Sequence, residues 1–299
     1  MFALQFDEYG GPEVLHVAEA EEPHAGPGQV RIAVAAASVN PFDWKLRAGY
    51  LAEMVPLELP SIPGTDAAGV VDEVGEGVEG IALGDRVFGL GERTSAQYAV
   101  LDHAVVRPDS MSWEEAAGLG LAVEAAARSL ARVDLPEGAT IVIDGAAGGT
   151  GTAMTQLAVG RGHTVVGTAS EGNHAYLRSM GALPTTYGPG LVERVAGLAP
   201  HVDGAFDLAG DAVDDLIAIT GDPARVATLV DFSRYGSPVH VVDTSMGRQY
   251  QALGEAVALR EQGRFTMPVQ QVFPLAQAGD AHALSAGGHV RGKVVLTVP

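Results

Sequence analysis

Residues Ile141–Gly151 read Ile-Val-Ile-Asp-Gly-Ala-Ala-Gly-Gly-Thr-Gly, an apolar run that leads into glycines at 145, 148 and 151. The residues between them, Ala147, Gly149 and Thr150 included, are small. Such a turn lets backbone approach a pyrophosphate that larger side chains would block. A helix is expected to start at Gly151, and its first amides and positive dipole end suit an anion. The spacing departs from the usual G-x-G-x-x-G, and a plain strand-to-helix turn could use the same residues. A strand before, a helix after and a second strand over Thr164–Thr168 favour a dinucleotide cradle, Gly145, Ala147, Gly148, Gly149, Thr150 and Gly151.

The tip of that second strand bears on which dinucleotide binds. NAD sites usually place an acidic side chain there for the ribose 2′-hydroxyl. Here the strand runs into Ala169 and Ser170, and Ser170 and Asn173 leave room for a 2′-phosphate and can donate to it. This points to NADPH. Glu171, with no Arg or Lys in Thr168–His174, keeps NADH open as the alternative.

Other chemistries are excluded by composition. The chain has 299 residues and no cysteine, which removes disulfides, thiolate nucleophiles and every metal site that needs sulfur. Its nine histidines form no H-x-x-x-H pair. With 18 Lys+Arg against 37 Asp+Glu, the formal net charge is −19, which argues against nucleic acid or an anionic membrane as partner. The first residues lack a basic region before an apolar run, and no long uncharged apolar stretch occurs, so neither a signal peptide nor a spanning helix is expected. A cytoplasmic protein of two domains is the expectation.

Two textures position the turn. Short strand-like runs, Val30–Ala36, Ala67–Val74, Arg86–Gly89 and Ala96–Val100, alternate with Gly and Pro turns and suggest a partly open barrel. Near residue 110 the pattern changes. Ser112, with Glu115 three residues on, reads as a helix start, and Ala116–Ala131 is rich in Ala and Leu. Strand, turn and helix then alternate: Thr140–Asp144, Gly151–Gly160, Thr164–Thr168, Asn173–Met180 and Gly204–Leu208, with Arg225–Val230 and Val239–Val242 as later strands. This order implies βαβ units and a parallel sheet. The last thirty residues return to short-strand texture and end in Lys293–Val298. The fold class is α/β: a β-rich domain of residues 1–112 and 266–299, with a doubly wound parallel-sheet domain of residues 113–265 inserted.

Several segments together resemble one family. They are Ser38–Gly49 (SVNPFDWKLRAG), Ile62–Gly69 with Val70–Val78, Gly84–Gly89 (GDRVFG), the glycine turn and Gly288–Leu296 (GHVRGKVVL). These are similar to the zinc-free medium-chain dehydrogenase/reductases of the quinone oxidoreductase branch, over nearly the whole chain. The resemblance implies a GroES-like catalytic domain from both termini, a Rossmann domain between, a cleft between the two as active site, and a homodimer. It also implies hydride transfer from NADPH to a quinone or an α,β-unsaturated carbonyl. In zinc-dependent relatives, the positions of Asn40 and Thr65 carry a cysteine and a histidine ligand.

The same resemblance assigns roles. Asn40, Lys45 and Tyr50 are its catalytic candidates, as donors to an oxygen that gains charge or, for Tyr50, as a proton source. Tyr187 matches a position near the adenosine phosphate, and Val230, Asp231 and Phe232 match the stretch that meets the carboxamide. Ala125 stands where the family usually carries threonine near the nicotinamide. That departure supports a second expectation, a dinucleotide-binding protein with little catalysis.

Overall fold

The computed structural model describes residues 1–299. They divide into two compact units, Met1–Leu121 with Met267–Pro299, and Ala122–Thr266.

The first unit opens with an antiparallel pair, β1 (Phe2–Gln5) and β2 (His16–Glu19). Then come β3 (Val30–Val39), α1 (Pro41–Arg47), β4 (Asp66–Val74), β5 (Arg86–Gly91), β6 (Tyr98–Val106) and α2 (Trp113–Ala117). Val30, Ile32 and Val34 are buried while the residues between them are partly exposed, the period of two that sets a strand's register. Strands β3 to β6 pair antiparallel in order, and the first half of β3 also pairs with β6. This closes a barrel around Val30, Ile32, Val71, Val87 and Leu101 and leaves those strands without a free edge there.

The second unit begins within α3 (Gly120–Leu130). It continues through β7 (Thr140–Asp144), α4 (Gly149–Gly160), β8 (Thr164–Thr168), α5 (His174–Ser179), β9 (Leu183–Thr185), α6 (Leu191–Leu198), β10 (Gly204–Asp207), α7 (Val213–Thr220), β11 (Val226–Thr228), β12 (His240–Val241) and α8 (Gln251–Glu261). Its six strands are parallel in the order β12-β11-β10-β7-β8-β9. Central strands such as Ile141-Val142-Ile143 are buried, as a sheet covered on both faces requires. The strand order reverses between β7 and β10, where α/β sheets bind ligands.

The chain returns to the first unit with β13 (Val269–Pro274), α9 (Ala278–Ala286) and β14 (Lys293–Thr297). Strand β14 pairs parallel with β13 and antiparallel with Ala36–Val39 of β3. Leu4, Val39, Phe273, Leu275, Ala281 and Leu296 form the core beneath it.

Two elements differ from the sequence expectation. The Ala/Leu-rich stretch from 116 to 131 is not one helix: it breaks between α2 and α3. The break gives α3 a fresh N-terminus, and Leu121 N–H donates to Asp66 Oδ2 at 2.8 Å. Gly120 allows the approach, since a Cβ there would lie 2.7 Å from Asp66 Cβ. Within the last thirty residues α9 stands where short strands were expected. Its buried Ala278, Ala281, His282 and Ser285 follow helical spacing. No helix is long and apolar enough to cross a membrane.

Candidate active site

Asn40 ends the turn out of β3 and precedes Pro41, the first residue of α1. Its extended backbone (φ −104°, ψ 155°) is what a residue before proline adopts. The Asn40 N–H donates to Asp43 Oδ2 at 2.7 Å, which ties the start of α1 to its own first turn. The Asn40 amide points into a buried polar cluster. Its Nδ2 donates to Asp66 Oδ1 at 2.8 Å, Ser38 Oγ at 3.1 Å and Thr65 Oγ1 at 3.2 Å. Its Oδ1 accepts from Lys293 Nζ at 2.5 Å. Ser38 Oγ donates to Asp66 Oδ1, and Lys293 forms an ion pair with Asp66 Oδ2 at 3.9 Å.

Asn40 and Lys293 are each only 4% exposed, and Asp66 is wholly buried. Buried charges of opposite sign need such partners, because desolvation otherwise outweighs their attraction. Both ends of the Asn40 amide are therefore committed within the protein. Asp43 is less well served: Oδ2 is bonded but Oδ1 is buried without a partner. Burial pushes the Asp43 carboxyl up to about 7, against the Asn40 N–H, and the charge of Asp66 adds to the rise.

Lys45 and Tyr50 belong to a different group. Tyr50 is 73% exposed, and its ring meets Trp44 edge-on at 5.8 Å. Lys45 Nζ lies 5.7 Å from the Trp44 ring, and partial burial lowers its pKa. The last turn of α1 and the bend at Gly49 (φ +79°) bring the three side chains together. Asn40 sits apart, in the buried cluster. Asp66, Ser38 and Lys293 are the members that sequence reasoning did not assign. The available signal was Lys293: it is one of only two lysines, and it opens an apolar strand run.

In the second unit the turn after β7 has the form its glycines suggest. Gly145 takes φ +79°, which favours glycine. Gly148 is the N-cap of α4, and Gly149, Thr150 and Gly151 form its first turn. A Cβ on Gly151 would overlap the Gly145 carbonyl oxygen and approach Ala146 Cα to 2.6 Å. Ala147 is buried beside them. First-turn amides of a helix have no acceptor within it, so this end of α4 offers N–H groups and positive potential to an anion.

Ser170 follows β8 and caps a short 3-10 turn, Glu171–Asn173. Asn173 Nδ2 donates to Ser170 Oγ at 3.3 Å, and the exposed Glu171 lies between them. Tyr187 is half exposed on the loop after β9. Arg194 gathers that loop by donating to the carbonyls of Thr186, Tyr187, Gly188 and Pro189 at 2.7–3.2 Å. Val230, Asp231 and Phe232 follow β11. The carboxylate of Asp231 accepts from Ser233 and from Arg234 Nε, which lowers its pKa. Ala125 is buried in α3, where its carbonyl accepts from Ser129 Oγ at 2.7 Å.

The chain matches two family models: alcohol dehydrogenase GroES-like domain over residues 26–129, and zinc-binding dehydrogenase over residues 187–296. Despite the second description, Asn40 and Thr65 hydrogen-bond to each other where the resemblance would put cysteine and histidine ligands. The chain is 31% identical to the NADPH-dependent alkenal/one oxidoreductase of Arabidopsis thaliana chloroplasts, over 99% of this chain and 79% of that one. It is 35% identical to the 2-methylene-furan-3-one reductase of Solanum lycopersicum, again over 99% and 79%. The quinone oxidoreductase of Coxiella burnetii superposes with a TM-score of 0.81 at 28% identity, covering 100% of this chain and 99% of that one. Barrel, parallel sheet, glycine turn and these likenesses over 99–100% of the chain place it in the quinone oxidoreductase-like branch of the medium-chain dehydrogenase/reductases.

Proposed function

We propose that the chain is an NADPH-dependent reductase of quinones or α,β-unsaturated carbonyls. The observation that carries the reading is the cradle at Gly145–Gly151, where a Cβ on Gly151 has no space and a helix N-terminus follows. The names of the relatives support the choice of cofactor and acceptor class.

The cradle fits the cofactor. The free first-turn amides of Gly149 and Thr150 would hold the pyrophosphate, with Gly148 as N-cap donating its own N–H to the Gly145 carbonyl at 3.1 Å, and Ser170 with Asn173 the 2′-phosphate. Tyr187 would cover the adenosine end, and the backbone of Val230, Asp231 and Phe232 would meet the carboxamide. The bound nicotinamide supplies a hydride. On the acceptor side, the exposed Tyr50 hydroxyl can deliver a proton to an oxygen that gains charge. Lys45, with its lowered pKa, can donate to the same oxygen. Asn40 acts as a positioning residue, since its amide is bonded to four side chains.

Without cysteine or a histidine pair to hold zinc, oxygen stabilisation falls to hydrogen-bond donors, which suits conjugated acceptors. We assign the protein to the cytoplasm as a homodimer; the open edge of β12 supports pairing with a second copy. Ala125, in place of a threonine, supports a second reading as a dinucleotide-binding protein with little turnover.

Fluorescence titration with NADPH and NADH, followed by a panel of quinones and enones, tests the proposal. Micromolar NADPH binding with oxidation by one acceptor class is expected. Binding without oxidation by any acceptor would establish the second reading, and absence of binding would end both.

A further inference from the structure

Four residues form one row across the C-terminal end of the parallel sheet. Thr228 ends β11, Asp207 ends β10, Asp144 ends β7 and Thr168 ends β8. Register pairs Thr228 with Asp207 and Asp207 with Asp144, and Thr168 follows the partner of Ile143. All four are buried. The row straddles the point between β7 and β10 where the strand order reverses.

Each threonine bonds to its neighbouring aspartate: Thr168 Oγ1 to Asp144 Oδ1 at 2.5 Å, and Thr228 Oγ1 to Asp207 Oδ2 at 2.7 Å. A hydroxyl has one proton, and once that is given to a carboxylate the oxygen's remaining capacity is to accept. Thr168 Oγ1 accepts from Gly145 N–H at 3.0 Å. Thr228 Oγ1 accepts from Val230 N–H at 3.2 Å and Asp231 N–H at 3.0 Å. The other oxygen of Asp207 accepts from Ala209 N–H at 3.2 Å and Gly210 N–H at 2.7 Å. Each aspartate thus fixes the direction of a hydroxyl, and each hydroxyl fixes a turn.

We propose that Asp144–Thr168 and Asp207–Thr228 are paired positioning relays, the first setting the phosphate-binding turn and the second the segment that meets the nicotinamide. The assignment rests on the cofactor reading above. The two relays lie side by side, with Asp207 and Asp144 paired in register on adjacent parallel strands about 4.8 Å apart. Burial pushes the Asp144 carboxyl up, against its Thr168 bond, and the Asp207 charge adds to the rise. The row places two buried acidic groups beneath a site for an anionic ligand.

The test compares NADPH with 2′-phospho-ADP-ribose, which keeps the pyrophosphate and lacks the nicotinamide. Thr168→Val should weaken both ligands about tenfold, the loss expected for one hydrogen bond. Thr228→Val should weaken NADPH by a similar factor and lower kcat while binding of the fragment stays unchanged. Thr168→Ser and Thr228→Ser should restore wild-type values. If a valine variant fails to fold, Thr168→Ala and Thr228→Ala, which cannot overpack, take its place. Equal weakening of both ligands by both variants, or no weakening by either, would overturn the relays. A wild-type protein that binds neither ligand would instead overturn the cofactor reading.

Discussion

Lys293 Nζ lies 2.5 Å from Asn40 Oδ1, a contact between residues 253 positions apart that joins β14 to the start of α1. The same ammonium is the cation paired with the wholly buried Asp66. Removing it by Lys293→Met leaves the buried Asp66 carboxylate without its counter-cation and the Asn40 amide oxygen without a donor. A loss of about 3 kcal/mol is expected, read from the urea midpoint at constant m. A variant as stable as the parent would mean that Asp66 is satisfied without Lys293.

Asp43 gives the first unit a pH dependence of known sign. Its carboxyl is raised in the fold to about 7, so the fold favours the neutral form. That contribution is fully present below the unfolded value near 4 and is lost as pH rises through 7. Asp43→Asn keeps an acceptor for the Asn40 N–H and cannot ionise. Its stability relative to the parent should therefore rise between pH 5 and pH 8. Comparing the two proteins at each pH cancels His282, whose pKa burial lowers to about 3 and whose contribution runs the other way. Parallel stability curves would show that Asp43 ionises as freely as in the unfolded chain.

Gly151→Ala tests the cradle. The added methyl overlaps the Gly145 carbonyl oxygen, so the turn must open where the pyrophosphate would sit. NADPH affinity should fall at least tenfold, on the order of 1.4 kcal/mol, measured by nicotinamide fluorescence. Undiminished affinity would remove the turn from the site.

Tyr50→Phe separates chemistry from structure. The side chain is largely exposed, so stability should change by less than about 0.5 kcal/mol. If the hydroxyl supplies a proton, kcat with enones should fall roughly 100-fold at unchanged KM for NADPH. An unchanged kcat with every acceptor would take Tyr50 out of the reaction.

What could be read from the chain follows from how local each signal is. The order strand, glycine turn, helix at 141–160 is legible because its demands fall on consecutive residues: apolar for burial, glycine where Cβ has no room. Strand β8, Thr164–Thr168, has the bounds that its run of residues suggests. The break between α2 and α3 is not legible, because it answers to the carboxylate of Asp66, more than fifty residues away. Glu124 is similar. It looks like a solvated residue in an alanine-rich helix, yet it is wholly buried and accepts from Arg128, Arg248 and the Gln249 amide. For Asn40 the family resemblance names the position, but its partners come from β3, β4 and β14, which only the folded barrel brings together.

The topology of β14 also sets an order of events during synthesis. This strand fills the space between β13 and the second half of β3, and it carries the cation of the buried cluster. Every residue of the second unit leaves the ribosome before β14 is made. The nascent first unit must therefore wait with the Ala36–Val39 edge unpaired and Asp66 without its cation. The unit begun first is completed last, which inverts the usual N-terminal-first order of domain folding. An early exposed strand edge invites pairing with other chains, so the yield of folded protein depends on how quickly the inserted unit is finished.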